Sequence, residues 1–279
     1  MTTRILIVGC GQLGTQVGSV LVSQGYDVTG LRRSNILNDG SGICYFQADL
    51  TCPETLQDLS VEFDLVVVIV TPSERSEAGY RAIYLEGVGH LLAHFASHNA
   101  SPRVIYVSST RVYGQQHGEW VDENSVTEPT DVYGCILLEA EQQVLAFAEH
   151  NNTIVRFSGI YGPDAQFMRR LAAEAKPVQY DPPSFTNRVH REDCVGSLVF
   201  LTRKALAGEV LADHYLVSDD EPASKWQVVS WLAEQAALSN PEKEVCDASV
   251  RQGKRCSNQR IREQGYSFKY STYRQGYRK

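Results

Sequence analysis

The sequence predicts an α/β protein: a doubly wound parallel sheet with helices on both faces and a smaller C-terminal lobe. Three features of its 279 residues carry that expectation. Short runs are β-branched and almost continuously apolar, as parallel strands covered on both faces should be. Longer stretches between them repeat apolar residues at helical spacing, and such alternation gives right-handed crossovers. After Pro163 the rhythm changes, which sets a first domain at 1–162 and a lobe at 163–279, some of whose chain returns to the first domain.

In chain order, the expected strands are "ILIVG" (Ile5–Gly9), "DVTGL" (Asp27–Leu31), "ICYFQADL" (Ile43–Leu50), "LVVVIV" (Leu65–Val70) and "RVIYVSS" (Arg103–Ser109). Tyr80, Ile83, Tyr84, Gly87, Val88, Leu91, Leu92 and Phe95 follow helical spacing, as do Tyr133, Ile136, Leu137, Ala140, Val144 and Phe147. A sixth strand is expected over "TIVRFSGIYGP", Thr153 to Pro163. Helices should follow around Ala165–Ala175, Glu192–Arg203 and Ser224–Ala237, separated by proline-containing loops such as "YDPPSFTNR".

Composition narrows the function. With 43% apolar and 21% charged residues the chain reads as soluble and globular. A net charge of −7 argues against non-specific nucleic-acid binding, although the tail from Arg251 to Lys279 is basic, as a solvated surface or a partner contact. No run reaches the roughly 20 apolar residues of a membrane helix. The first strand begins too early for a signal peptide. Seven scattered cysteines without a C-x-x-C pair point to free thiols in the cytoplasm, with no metal site and no disulfide framework.

The chemistry begins at "GCGQLG". Gly9, Gly11 and Gly14 form G-x-G-x-x-G directly after a strand and at the opening of a helix. Gly9 makes the turn, Gly11 lets the backbone approach a pyrophosphate, and Gly14 allows close helix–strand packing. The residues at the helix start, Gln12 and Leu13, add free N–H groups and the positive end of the helix dipole. This is the signature of a Rossmann-like dinucleotide site. About 20 positions later an NAD site carries a carboxylate for the ribose 2′-hydroxyl. Here stand Arg32 and Arg33, which suit the 2′-phosphate of NADP through charge-assisted hydrogen bonds. NADP(H) is therefore expected over NAD(H); an exposed basic turn is the other reading of the pair.

With that loop, "VSSTRVYG", "VYGCILLEAE", "RFSGIYGP" and "NRVHREDCVG" in order along one chain, the sequence resembles the extended short-chain dehydrogenases/reductases, the NAD(P)-dependent epimerase/dehydratase family. The resemblance spans Ile5 to about Glu234 and is closest to a shortened subgroup whose members often lack part of the active site. It implies a C-terminal lobe for a small-molecule substrate. It also implies a homodimer formed through the helices at Tyr80–His98 and Tyr133–His150, although their apolar faces would serve packing against the sheet equally well. By resemblance, Asp49 and Leu50 touch the adenine, Thr71 lies nearest the nicotinamide-side phosphates, and Ser109 and Tyr133 are the catalytic pair. Arg111 and Arg188 are candidate substrate contacts.

The departures from the family pattern are specific. The lysine expected four residues after the tyrosine is Leu137. The asparagine expected three residues before Gly87 is Tyr84. The acidic pair of dehydratases is Thr110 and Arg111. A tyrosine titrates near 10, so without a cation it is a poor base. As a neutral acid it can still protonate a carbonyl oxygen held by Ser109. Carbonyl reduction is thus expected over epimerisation, which needs both directions. Arg111, Arg75, Arg188 or His190 could return the missing cation. The plainer alternatives are a core aromatic for Tyr133, a strand-end cap for Ser109, a salt bridge for Arg188 and a loop residue for His190. A protein that holds NADP(H) as a sensor, without turnover, is the alternative function.

Overall fold

The computed structural model describes residues 2–34, 39–148, 152–164, 166–174 and 176–278. Seven strands form the main sheet: β1 (Arg4–Val8), β2 (Asp27–Arg32), β3 (Cys44–Gln47), β4 (Leu65–Val68), β5 (Arg103–Ser109), β6 (Thr153–Phe157) and β7 (His214–Val217), in the order β7-β6-β5-β4-β1-β2-β3. From β3 through β2, β1 and β4 to β5 every pairing is parallel. Ile5 to Val8 and Leu65 to Val68 are fully buried, which is why these runs lack polar alternation. The strand order reverses between β1 and β4, and ligands of such sheets bind beyond the carboxyl ends of the strands at that point. The glycine loop follows β1 there and leads into helix α1 (Gln12–Ser23).

The chain divides into two compact units that interleave along its length. One comprises Met1–Val112, Pro129–Arg156 and Val195–Tyr215; the other comprises Tyr113–Glu128, Phe157–Cys194 and Leu216–Lys279. The second has its own core, in which Tyr161, Ala172, Val228, Leu232, Tyr273 and Tyr277 pack together.

Several elements differ from the sequence expectation. The third strand stops at Gln47, because Asp49 folds the chain into a turn: its Oδ1 accepts from the Thr51 backbone N–H at 3.0 Å and from Thr51 Oγ1 at 2.8 Å. The sixth is two strands. β6 ends at Phe157, and Gly159–Tyr161 pairs instead, in parallel, with Arg188–His190. The helix expected from Tyr80 starts at Glu77, where Ser76 accepts from the Gly79 N–H at 3.1 Å. It then widens into a π-helical stretch, Arg81–Gly87, before resuming as Val88–Ser97. The helix at Tyr133 covers Val132–Leu145 and ends short of the expected His150: Ala146 caps it and Ala148 turns the chain with φ +56°, while residues 149 and 150 lie outside the described residues. Helices of the later chain run Phe167–Glu174, Arg191–Leu206 and Lys225–Gln235, the last opened by a Ser224/Gln227 capping box. Ala165 and Ala175 also lie outside the described residues.

Candidate active site

The phosphate loop is built by exclusion. Gly9 has φ +85°, and a Cβ on it would lie 2.2 Å from the carbonyl oxygen of Ile69. Only glycine combines that conformation with that approach. The loop is thereby seated on the end of β4, two residues before Thr71, which is exposed. The N–H groups of Gly9 and Cys10 both donate to Leu31 O, at 3.1 and 3.0 Å, tying the loop to β2 as well. A Cβ on Gly14 would lie 2.7 Å from Gly9 O, so the helix can enter only without one. Gly11 is different: a Cβ there would meet nothing within 4 Å. Its backbone faces open space, and it caps α1 without a side-chain bond, so no cap claims the first-turn N–H groups of Gln12, Leu13 and Gly14. These residues fit a dinucleotide's pyrophosphate. Cys10 is sealed inside the loop, its Sγ 3.7 Å from Thr15 Oγ1, and burial pushes its thiol up despite that bond.

At the end of β2, Arg32 donates from Nε and Nη2 to Ser34 Oγ, at 3.2 and 2.9 Å, and its guanidinium stands 5.8 Å from the Tyr45 ring centre. Arg33 is exposed, and its carbonyl accepts from Gln47 Nε2 at 2.9 Å. A hydroxyl and two arginines are thus gathered at the end of β2. Asp49 makes the turn above, and Leu50, buried, presents its carbonyl to His90 Nδ1 at 2.8 Å.

Around Tyr133 the fold assembles a group that spacing along the chain does not reveal. Asp131 caps the helix, accepting from the Gly134 N–H at 2.9 Å. The same carboxylate takes Arg111 Nε at 3.0 and 3.1 Å. Burial raises the Asp131 carboxyl, but the Gly134 N–H and the Arg111 guanidinium outweigh it and hold it below the usual range. Arg111 lies 4.7 Å from the centre of the Tyr133 ring, a cation–π contact. The Tyr80 ring, 4.6 Å away, meets Tyr133, and Tyr84 follows Tyr80 at 5.2 Å. The Tyr133 hydroxyl donates to the carbonyl of Arg75 at 3.3 Å. Ser109 Oγ accepts the Arg111 backbone N–H at 3.2 Å, which leaves its own proton free to donate.

Leu137 is buried and brings no charge. Of the four candidates for a replacement cation, Arg111 is the one whose charge the fold sets on Tyr133, while Arg75 offers a carbonyl instead. Tyr84, at the family's asparagine position, is buried, and burial together with Tyr80 pushes its phenol up. Arg188 and His190 belong to the second unit and are buried there. Arg188 lies 5.1 Å from the Tyr273 ring centre, and His190 packs on Tyr161 and Tyr270 at 5.2 and 3.9 Å. Asp131 and Tyr80 escaped the sequence reading. The aspartate two residues before the tyrosine is an N-cap signal that could have found the first; Tyr80 and Tyr84, one helical turn apart, hint at the second.

The sheet order and the glycine loop define an NAD(P)-binding Rossmann protein. Residues 5–178 match the NAD dependent epimerase/dehydratase family, and the chain belongs to it. Protein YeeZ of Escherichia coli (strain K12) is 30% identical over 217 residues, 74% of this chain and 76% of YeeZ. A solved structure from Methylobacillus flagellatus, assigned to the NAD-dependent epimerases/dehydratases, is 33% identical with a TM-score of 0.81 and covers 99% of this chain and 96% of its own. A UDP-glucose 4-epimerase structure superposes with a TM-score of 0.78 over 98% of this chain and 95% of its own; at 18% identity it shows the fold alone. No helix among the described residues is long and apolar enough to cross a membrane.

Proposed function

We propose that this protein is an NADP(H)-dependent reductase acting on the carbonyl group of a small molecule, with a sugar-nucleotide-like compound as the first class to try. The observation that carries the reading is the Tyr133 hydroxyl, which donates to a carbonyl oxygen and so carries its proton, beside a leucine where a lysine would help remove it. Gly11 and the first-turn N–H groups of α1 would hold the pyrophosphate, and Arg32, Ser34 and Arg33 the 2′-phosphate. Bound NADPH would supply the hydride for the carbonyl carbon. Ser109 would orient the carbonyl oxygen, and Tyr133 would deliver the proton that completes the alcohol. Arg111 would offset the charge left on the phenol, held in place by Asp131. A second reading, an NADP(H)-binding sensor, draws on the burial of Leu137 and Tyr84, which fills the family's lysine and asparagine positions without charge.

Fluorescence titration of the purified protein with NADPH and NADH tests the cofactor. NADPH should bind more tightly, and R32M should remove about 10- to 100-fold of its affinity while sparing NADH, the worth of a charge-assisted bond. Equal affinities in the wild type would overturn the preference. Turnover is tested with carbonyl substrates in Y133F and L137K: reduction should vanish in the first, and alcohol oxidation should rise in the second. Tight NADPH binding with no reduction of any carbonyl would favour the sensor.

A further inference from the structure

The second unit contains a polar cluster that its own residues do not satisfy. Arg188 Nη1, Asp219 Oδ2, Ser158 Oγ, Tyr161 Oη and Tyr273 Oη are buried and have no hydrogen-bond partner. Each of these side chains is at most 5% exposed. The fold holds them together. Arg188 pairs with Gly159 across parallel strands, next to Ser158 and two residues from Tyr161. The Asp219 N–H donates to Arg188 O at 2.7 Å, and Tyr273 lies beneath the guanidinium. Arg188 Nη2 bonds Thr186, two residues earlier, donating to its O at 3.3 Å and to its Oγ1. Among the described residues no ion pair within 4.0 Å joins Arg188 to Asp219. Buried polar groups are normally paired, and buried charges nearly always are.

We propose that this cluster is a binding site for one small oxyanion, a phosphate or carboxylate group, enclosed by Arg188, Ser158, Tyr161 and Tyr273. The guanidinium and three hydroxyls can all donate to a single acceptor-rich ligand. Burial, opposed in part by Arg188, pushes the Asp219 carboxyl up to about 8, so at neutral pH it adds a fifth donor and leaves the arginine's charge unbalanced. Water could satisfy hydrogen bonds here but would not neutralise that charge. One wall is the C-terminal turn Tyr273–Gly276, fastened at the surface by Arg274 to Glu221 and by Arg169 Nη2 to Tyr277 O at 2.8 Å. Its release would admit the ligand.

The test uses the full-length protein at pH 7 and constant ionic strength, with thermal melts and calorimetry against inorganic phosphate and against glucose 1-phosphate, with chloride as the control. At least one phosphate should bind saturably. Y273F and Y161F should each weaken it about 10- to 100-fold with unchanged circular dichroism, the value of one lost bond to an anion, and R188M should abolish it. Binding of inorganic phosphate identifies a free ion as the ligand. Binding of the sugar phosphate alone identifies the acidic group of a metabolite. No saturable binding of either, or equal binding in both tyrosine variants, would mean water or an adventitious ion only and would overturn the site.

Discussion

Two buried arginines in this molecule face buried carboxylates, and they are treated in opposite ways. In the first unit Arg156 Nη2 lies 2.6 Å from Glu141 Oε2, and its Nε reaches both carboxylate oxygens at 3.0 and 3.2 Å. Ser108 Oγ donates to Glu141 Oε1 at 2.5 Å, and His214 Nε2 stands 3.9 Å from Oε2. That pair is closed and fastens the Tyr133 helix to β5 and β6. In the second unit Arg188 and Asp219 are equally buried but do not meet. A closed pair recovers in Coulomb energy and hydrogen bonds what desolvation costs; an open one does not. The difference teaches that burial alone does not tell a structural ion pair from a candidate binding site. Partner geometry does.

Truncation of the two arginines breaks or sharpens this contrast most directly. R156M strands Glu141 and should cost about 3–5 kcal/mol in urea denaturation. R188M, measured without phosphate, removes a charge that has no closed partner and should cost about 1 kcal/mol or less. Equal losses would erase the distinction. Next comes pH. Asp219 has a folded value near 8 against an unfolded value near 3.9, so the folded state binds the extra proton. Its stability contribution is complete below pH 4 and is lost as pH rises toward 8, at up to about 1.4 kcal/mol per unit. Burial drives this shift; Arg188 and the Glu221 backbone N–H oppose it, and the Glu221 and Asp220 charges reinforce it. The wild type minus D219N difference in unfolding free energy should show that slope, and parallel curves would refute it. A modest effect is expected at the first unit's helix start. D131A removes a cap and should cost about 1 kcal/mol by the same denaturation assay, with D131N losing less.

What could be read from the sequence was what the backbone demands. The glycine loop and most of the strands are local signals, each with its reason inside a short window. The helix at Tyr133 was legible as an element, and Leu137 as a departure. The setting of Tyr133 was not, because Arg111, Tyr80 and the Arg75 carbonyl arrive from three other segments. The π-helical stretch was hidden for a related reason: Arg81–Gly87 keeps an apolar pattern that ordinary helical spacing describes equally well. Arg188 could be read as a substrate contact or as half of a salt bridge, since nothing near it in "NRVHRED" announces that the side chain is buried.

Cys10 has a consequence for the chemistry of stress. Gly30 has no side chain, and a Cβ there would lie 2.9 Å from the Cys10 sulfur, so the thiol is packed against bare strand. Cys44 and Cys135 are exposed. Electrophiles and oxidants therefore meet those two first, while the cysteine inside the nucleotide loop stays protonated and shielded. A folded molecule can take covalent damage at its surface and keep its phosphate-gripping loop unmodified.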